Sequence, residues 1–206
     1  MRLLLSTNNA HKREEFRAIF PEHEIHTPFE LGIELEVEET GGTFLENALL
    51  KAHRLREESG PEEARSVIIA DDSGLCVDAL GGGPGIYSAR FGSPDGGKTE
   101  LAAEQRNQLL LRALENEEDR GAHFVCCMVA LLPDDRLCVA QESWIGEIAR
   151  APSEGTGGFG YDPVFLIPGL GVTAADLPAR DKNALSHRGR ASRVLAAALN
   201  EAVALP

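Results

Sequence analysis

The chain has 206 residues, 43% hydrophobic, 26% charged and only 5% aromatic, which suits a globular protein with an aliphatic core and excludes a disordered segment. Twenty Lys and Arg against 33 Asp and Glu give a net charge of −13, and with no basic run to oppose that field a nucleic-acid polymer is excluded as partner. The longest apolar run, Phe124 to Leu132, is far short of the roughly 20 residues of a membrane helix, and the four cysteines lack CxxC spacing, so a cytoplasmic protein without zinc, disulfides or membrane contact is expected.

Taken in chain order, Arg2 to Ser6 (RLLLS) reads as a buried strand, after which Asn8 or Asn9 caps a helix over about 10–20. Thr43-Phe44-Leu45-Glu46 has the form of a capping box, and Leu45, Leu49, Ala52 and Leu55 make one apolar stripe, which predicts a helix to about residue 58. Val67 to Ala70 reads as a short buried strand ending at Asp71-Asp72, and Gly81 to Gly85 as an irregular loop. A third helix is predicted over about 99–116. Phe124 to Leu132 and Arg136 to Ser143 flank Pro133-Asp134-Asp135 as an antiparallel hairpin, and a further strand is predicted over about 164–167. The Ala/Leu-rich segment from about 185 to 205 closes the chain as one helix, with Leu195, Ala198, Leu199 and Ala202 on its stripe. Strands alternate with helices, with no linker or repeat, so one α/β domain over residues 1–206, with room for two lobes, is the economical architecture.

Two glycine patterns match nucleotide motifs on paper. Gly155, Gly157 and Gly160 satisfy G-x-G-x-x-G, but the following YDPVFLIPG, with two prolines, is not the helix a dinucleotide site requires. Gly92 to Thr99 matches the P-loop pattern, yet Pro94 removes a backbone donor from the cradle and Asp95 places negative charge where phosphate would sit. A surface loop capping a helix is the plainer reading, and a P-loop NTPase or kinase using Lys98 is kept as an alternative.

Other candidates divide between chemistry and plain structure. Thr7-Asn8-Asn9-Ala10-His11-Lys12 joins strand to helix, where free N–H groups and Lys12 favour an anion, although an ordinary cap with a solvated lysine also explains it. Glu38-Glu39 alone is surface charge before a helix. Asp71-Asp72-Ser73-Gly74 is either good turn chemistry or a hard-oxygen metal site at a strand's carboxyl end. Lys182, His187 and Arg188 bunch where the last helix begins, an arrangement that opposes the helix dipole and favours an anion-binding reading. In Gly157 to Pro163, Phe159 sits among glycines that let a flat group approach, so the loop either stacks a base or buries Phe159.

Together STNNAHK, EETGGTFLENALLKA, IADDSGLCVDALGGGPGIYSARFG, GTGGFGYDPVF and KNALSHRGRA resemble the inosine/xanthosine triphosphate pyrophosphatase family, house-cleaning enzymes for non-standard purine nucleotides. Five blocks in order over almost the whole chain carry the likeness. It implies an elongated mixed α/β sheet flanked by helices, two lobes with a nucleotide cleft between them, a homodimer, and Mg²⁺-dependent release of pyrophosphate from ITP, dITP or XTP. Residue by residue it implies triphosphate contacts at Thr7, Asn9 and Lys12, metal ligation by Glu38 and Asp72, and Asp72 as proton acceptor. It further implies a substrate contact at Ser73, a purine pocket at Phe159, Gly160, Tyr161 and Asp162, and base and phosphate contacts at Lys182, His187 and Arg188. Residues 92–99 match no block of the family. A nucleotide sensor without turnover is the remaining alternative.

Overall fold

The computed structural model describes residues 2–95 and 99–204. Three strands near the amino terminus run parallel: β1 (Arg2–Leu5) lies between β2 (Glu24–His26) and β3 (Val67–Val77), with Leu5 beside Ile69. They continue into β4 (Gly121–Leu131), β5 (Leu137–Ile148), β6 (Phe165–Ile167) and β7 (Val172–Thr173) in the order β2-β1-β3-β4-β5-β6-β7. The β5–β6 and β6–β7 pairs are antiparallel, so the seven-stranded sheet is mixed. Helices α1 (Ala10–Ile19), α2 (Phe44–Glu58), α3 (Ala103–Ala113), α4 (Ala179–Leu185) and α5 (His187–Ala204) complete an α/β fold. Among the described residues no helix is long and apolar enough to cross a membrane.

The chain divides into two compact units, the first made of Met1–Asp72, Cys126–Glu142 and Arg188–Pro206, the second of Ser73–Val125 and Ser143–His187. In the first unit the strands are covered on both faces, as a parallel sheet requires, and the pleat sorts neighbouring residues between them. Leu3, Leu5, Val67 and Ile69 pack with Phe16 of α1 and with Ala191, Leu195 and Leu199 of α5. Leu4, Ile68 and Ala70 pack with Ala48, Ala52 and Leu55 of α2. Each large aliphatic side chain so buried contributes about 1.5–3 kcal/mol. In the second unit Leu75 and Val77 of β3 pack with Leu110 and Leu114, Phe124, Trp144 and Phe165.

The predicted elements are present, with two corrections. β3 does not end at the aspartates: it runs on to Val77, so Asp71-Asp72-Ser73-Gly74 is extended strand and the turn reading of Asp71 falls. Asp71 and Asp72 nevertheless stand just beyond the parallel pairing, because β1 ends at Leu5 and its last partner is Ile69. The third helix begins at Ala103, not near Thr99. The carboxylate of Asp95 accepts from both the N–H (2.9 Å) and the hydroxyl (2.7 Å) of Thr99, so the two donors that Thr99 would offer a phosphate are already engaged. Lys98, with residues 96 and 97, lies outside the described residues. The closing helix is present as α5, and a short helix that the sequence reading did not name, α4, precedes it: Ser186 is extended (φ −67°, ψ 157°) and its N–H donates to the Lys182 carbonyl at 2.8 Å, ending α4 before α5 starts.

The start of α2 follows from its sequence with one twist. Thr43 Oγ1 accepts from the Glu46 N–H at 3.1 Å, while the Glu46 carboxylate reaches back to the N–H of Gly42 (2.6 Å) and so caps one residue earlier than the usual box. Thr43→Ala is expected to cost about 1 kcal/mol of stability. Urea unfolding would show this as a lower midpoint at unchanged slope, and an unshifted midpoint would refute the capping role.

Candidate active site

A strand's period of two decides the site. Asp71 shares the face of Val67 and Ile69, and Asp72 that of Ile68 and Ala70, so two carboxylates adjacent in sequence point into different layers. On the α1/α5 side Asp71, 1% exposed, receives the Lys12 ammonium at 2.9 Å and the Arg188 guanidinium at 3.3 Å. Arg188 in turn binds Glu15 of α1 at 2.6 Å. Burial opposes the charged form of Asp71, but Lys12, Arg188 and Lys51 outweigh it and hold the carboxyl well below its ordinary 3.8. Lys12 is carried there by α1, whose cap is Asn9 (Oδ1 to the Lys12 N–H, 3.1 Å), with Thr7 Oγ1 accepting from the Asn9 N–H. Thr7, Asn9 and Arg13 also line a groove of about 190 Å³ at the start of α1.

On the α2 side Asp72 meets Lys51 at 2.7 Å and the Asn47 amide at 3.3 Å. Asn47, Lys51 and Leu55 are spaced by four, one stripe of the helix turned toward β3. Asn47 Oδ1 accepts from the Gly41 N–H (2.8 Å), and a Cβ on Gly41 would come within 2.7 Å of it, which explains the glycine. The Lys51 ammonium is shared with Glu39, also at 2.7 Å, and burial lowers its pKa less than Asp72, Glu39 and Asp71 raise it. For Asp72 burial prevails over Lys51 and pushes the carboxyl up. Glu38 is exposed. Among the described residues no three acidic, histidine or cysteine side chains converge as a cation cage. Two carboxylates already clasping one cation, Lys51, with Glu38 alongside in sequence, do fit a hard divalent ion of the kind that takes few protein ligands and completes its shell with phosphate oxygens.

The second unit holds a separate cluster. Lys182, 5% exposed, pairs with Asp162 at 2.7 Å and lies 4.9 Å from the centre of the Phe159 ring. The Asp162 carboxylate also accepts from the Phe159 N–H at 2.6 Å, which folds residues 159–162 into a tight loop. Gly158 (φ 70°) and Gly160 (φ 64°) are left-handed, and a Cβ on Gly158 would collide with Asp162. Tyr161 is buried, its hydroxyl donating to the Ser88 carbonyl at 2.8 Å. His187 stacks on Phe124, rings 4.7 Å apart and 9° from parallel.

The sequence model of the Ham1 family matches residues 3–198. The chain belongs to the Ham1 family. A relative from Treponema denticola, named dITP/XTP pyrophosphatase, is 46% identical over 93% of this chain and 94% of that protein. Another of the same name from Methylococcus capsulatus is 47% identical over 96% of each. Two solved Ham1 structures share the fold: that from Coxiella burnetii (TM-score 0.83, 35% identity, 98% of this chain and 99% of the other) and that from Staphylococcus aureus (0.81, 39%, 98% and 100%).

Of the residues that the sequence singles out, the Ham1 fold brings Lys12, Asp72's neighbour Asp71, and Arg188 into one buried network, and Phe159, Asp162 and Lys182 into another. Ser73 is half-buried on β3, and Glu38 lies at the surface. Asn47, Lys51 and Glu15 went unread, and Glu39, read as surface charge, pairs with Lys51; polar Asn47 and Lys51, spaced by fours from Leu55 of the apolar stripe of α2, were a visible signal. At pH 7 Asp71→Asn should cost roughly 3–5 kcal/mol, because it leaves Lys12 and Arg188 without their shared countercharge. Since the native pKa of Asp71 is depressed, its contribution is complete above the unfolded pKa and is lost as pH falls toward the native one. The stability gap between wild type and Asp71→Asn should therefore narrow progressively below about pH 4. Denaturant unfolding at several pH values reads this, and an equal gap at pH 3 and 7 would rule it out.

Proposed function

We propose that this chain hydrolyses non-standard purine nucleoside triphosphates (ITP, dITP, XTP) to the monophosphate and pyrophosphate. The observation that carries the reading is the pair Asp71 and Asp72, each locked to its own lysine at the carboxyl end of the parallel strands, in a chain nearly half identical to proteins named dITP/XTP pyrophosphatase. Asp72, with its raised pKa, accepts the proton of the attacking water. The water oxygen bonds to the α-phosphorus, the bond from that phosphorus to the β-bridging oxygen breaks, and pyrophosphate leaves. Lys12, held in place by Asp71, neutralises the charge on the departing group beside the N–H groups at the start of α1.

Asp72 with Glu38 or Glu39 would hold Mg²⁺, which supplies Lewis-acid polarisation of the phosphate oxygens when bound. In the second unit the loop 159–162 with Lys182 and His187 is assigned to the purine, and a 6-keto edge distinguishes hypoxanthine and xanthine from adenine. A homodimer is part of the same reading.

Asp72→Asn is expected to abolish turnover without lowering the melting temperature, and Lys12→Ala to cost roughly 10²–10³ in kcat. Assaying pyrophosphate against orthophosphate release from ITP tests the reaction type, and orthophosphate as first product would refute it. Chelation should stop the reaction and added Mg²⁺ restore it. Lys98→Ala should leave the rate near normal, whereas a collapse there with Lys12→Ala harmless would favour a P-loop enzyme. Tight ITP binding with no product over a long incubation would favour a sensor.

A further inference from the structure

The loop assigned to the purine is held from a second side by a residue that nothing above gives a role. Asn107 lies on α3, 5% exposed, and its Nδ2 donates to the Gly160 carbonyl at 3.1 Å, across 53 positions of sequence. The preceding residue reaches the same loop: the Arg106 guanidinium stands 5.9 Å from the centre of the Tyr161 ring. α3 thus fixes the middle of the loop, while Asp162 and Lys182 fix its ends.

The peptide between Gly160 and Tyr161 is trans, so its carbonyl and N–H point in opposite directions. By binding the carbonyl, Asn107 turns the Tyr161 N–H away from α3. Among the described residues neither that N–H nor the N–H of Gly160 has a hydrogen-bond acceptor, and nothing stands within 4 Å of where a Cβ on Gly160 would be. A fixed pair of donors beside open space on an otherwise tied loop is a receptor for an acceptor atom. Asn107 also leaves its own Oδ1 buried without a partner, so holding the loop with an amide costs stability that an apolar side chain of similar size would not.

We infer that Asn107 is a positioning residue for base selection: by anchoring the Gly160 carbonyl it aims the Gly160 and Tyr161 N–H groups at a keto oxygen on the purine. The inference rests on the assignment of this loop to the base. A 6-keto oxygen accepts from such donors, whereas the amino group of adenine presents a donor to a donor and leaves them unpaired.

The test compares kcat/KM for ITP and for ATP in wild type, Asn107→Asp and Asn107→Leu, with melting temperatures alongside. Both variants remove the donor, but they differ in how well they tolerate burial, the carboxylate poorly and the isobutyl group well. The expected result is a loss of about ten-fold or more in kcat/KM for ITP in both, with little change for ATP, so that the ITP/ATP ratio falls alike in the two whatever their melting temperatures. If the losses follow melting temperature and the ratio is preserved, Asn107 is structural only and the inference is overturned. If wild type itself shows no preference for ITP over ATP, the assignment of the loop to the base falls, a result separate from any behaviour of the variants.

Discussion

Everything at the candidate catalytic end depends on the pleat of β3. Two adjacent carboxylates on an ordinary turn would share one environment and repel each other. On a strand covered by helices on both faces they are sent to opposite layers, and each is buried only because its own layer brings a cation: Lys12 and Arg188 for Asp71, Lys51 for Asp72. The division of labour follows from that placement. The doubly paired Asp71 is held in its charged form and remains an anchor, whereas for Asp72 burial outweighs Lys51 and the carboxyl is pushed up.

The strand-helix alternation, the α2 cap and both basic-acidic blocks were legible in the amino-acid order because they rest on local signals: apolar periodicity, a capping pair, glycine at a turn. What was not legible is what only tertiary packing creates. Asp-Asp-Ser-Gly carries the local chemistry of a turn, and nothing in its neighbours says that β3 will run through it; the pairing cations sit 59 residues before Asp71 and 117 after it, at Lys12 and Arg188. Lys51 went unread, because only the fold turns its stripe toward β3.

In the second unit the same economy appears with backbone in place of charge. Two left-handed glycines and one carboxylate bend residues 158–162 into a tight loop. Side chains named by the sequence as pocket residues divide accordingly: Tyr161 is a buried prop through Ser88, and the half-buried Phe159 ring lies beside the buried Lys182 ammonium.

The buried network of Lys12, Asp71, Arg188 and Glu15 has a property that none of its bonds shows singly, for it contains two positive and two negative groups and is neutral as a set. Any single replacement that changes charge leaves one ion uncompensated in the interior, while a matched pair of replacements restores the balance. These four positions are therefore bound to one another in evolutionary drift: a lineage can cross from one neutral combination to another only by coupled steps, and substitution patterns in relatives should show them changing together or not at all.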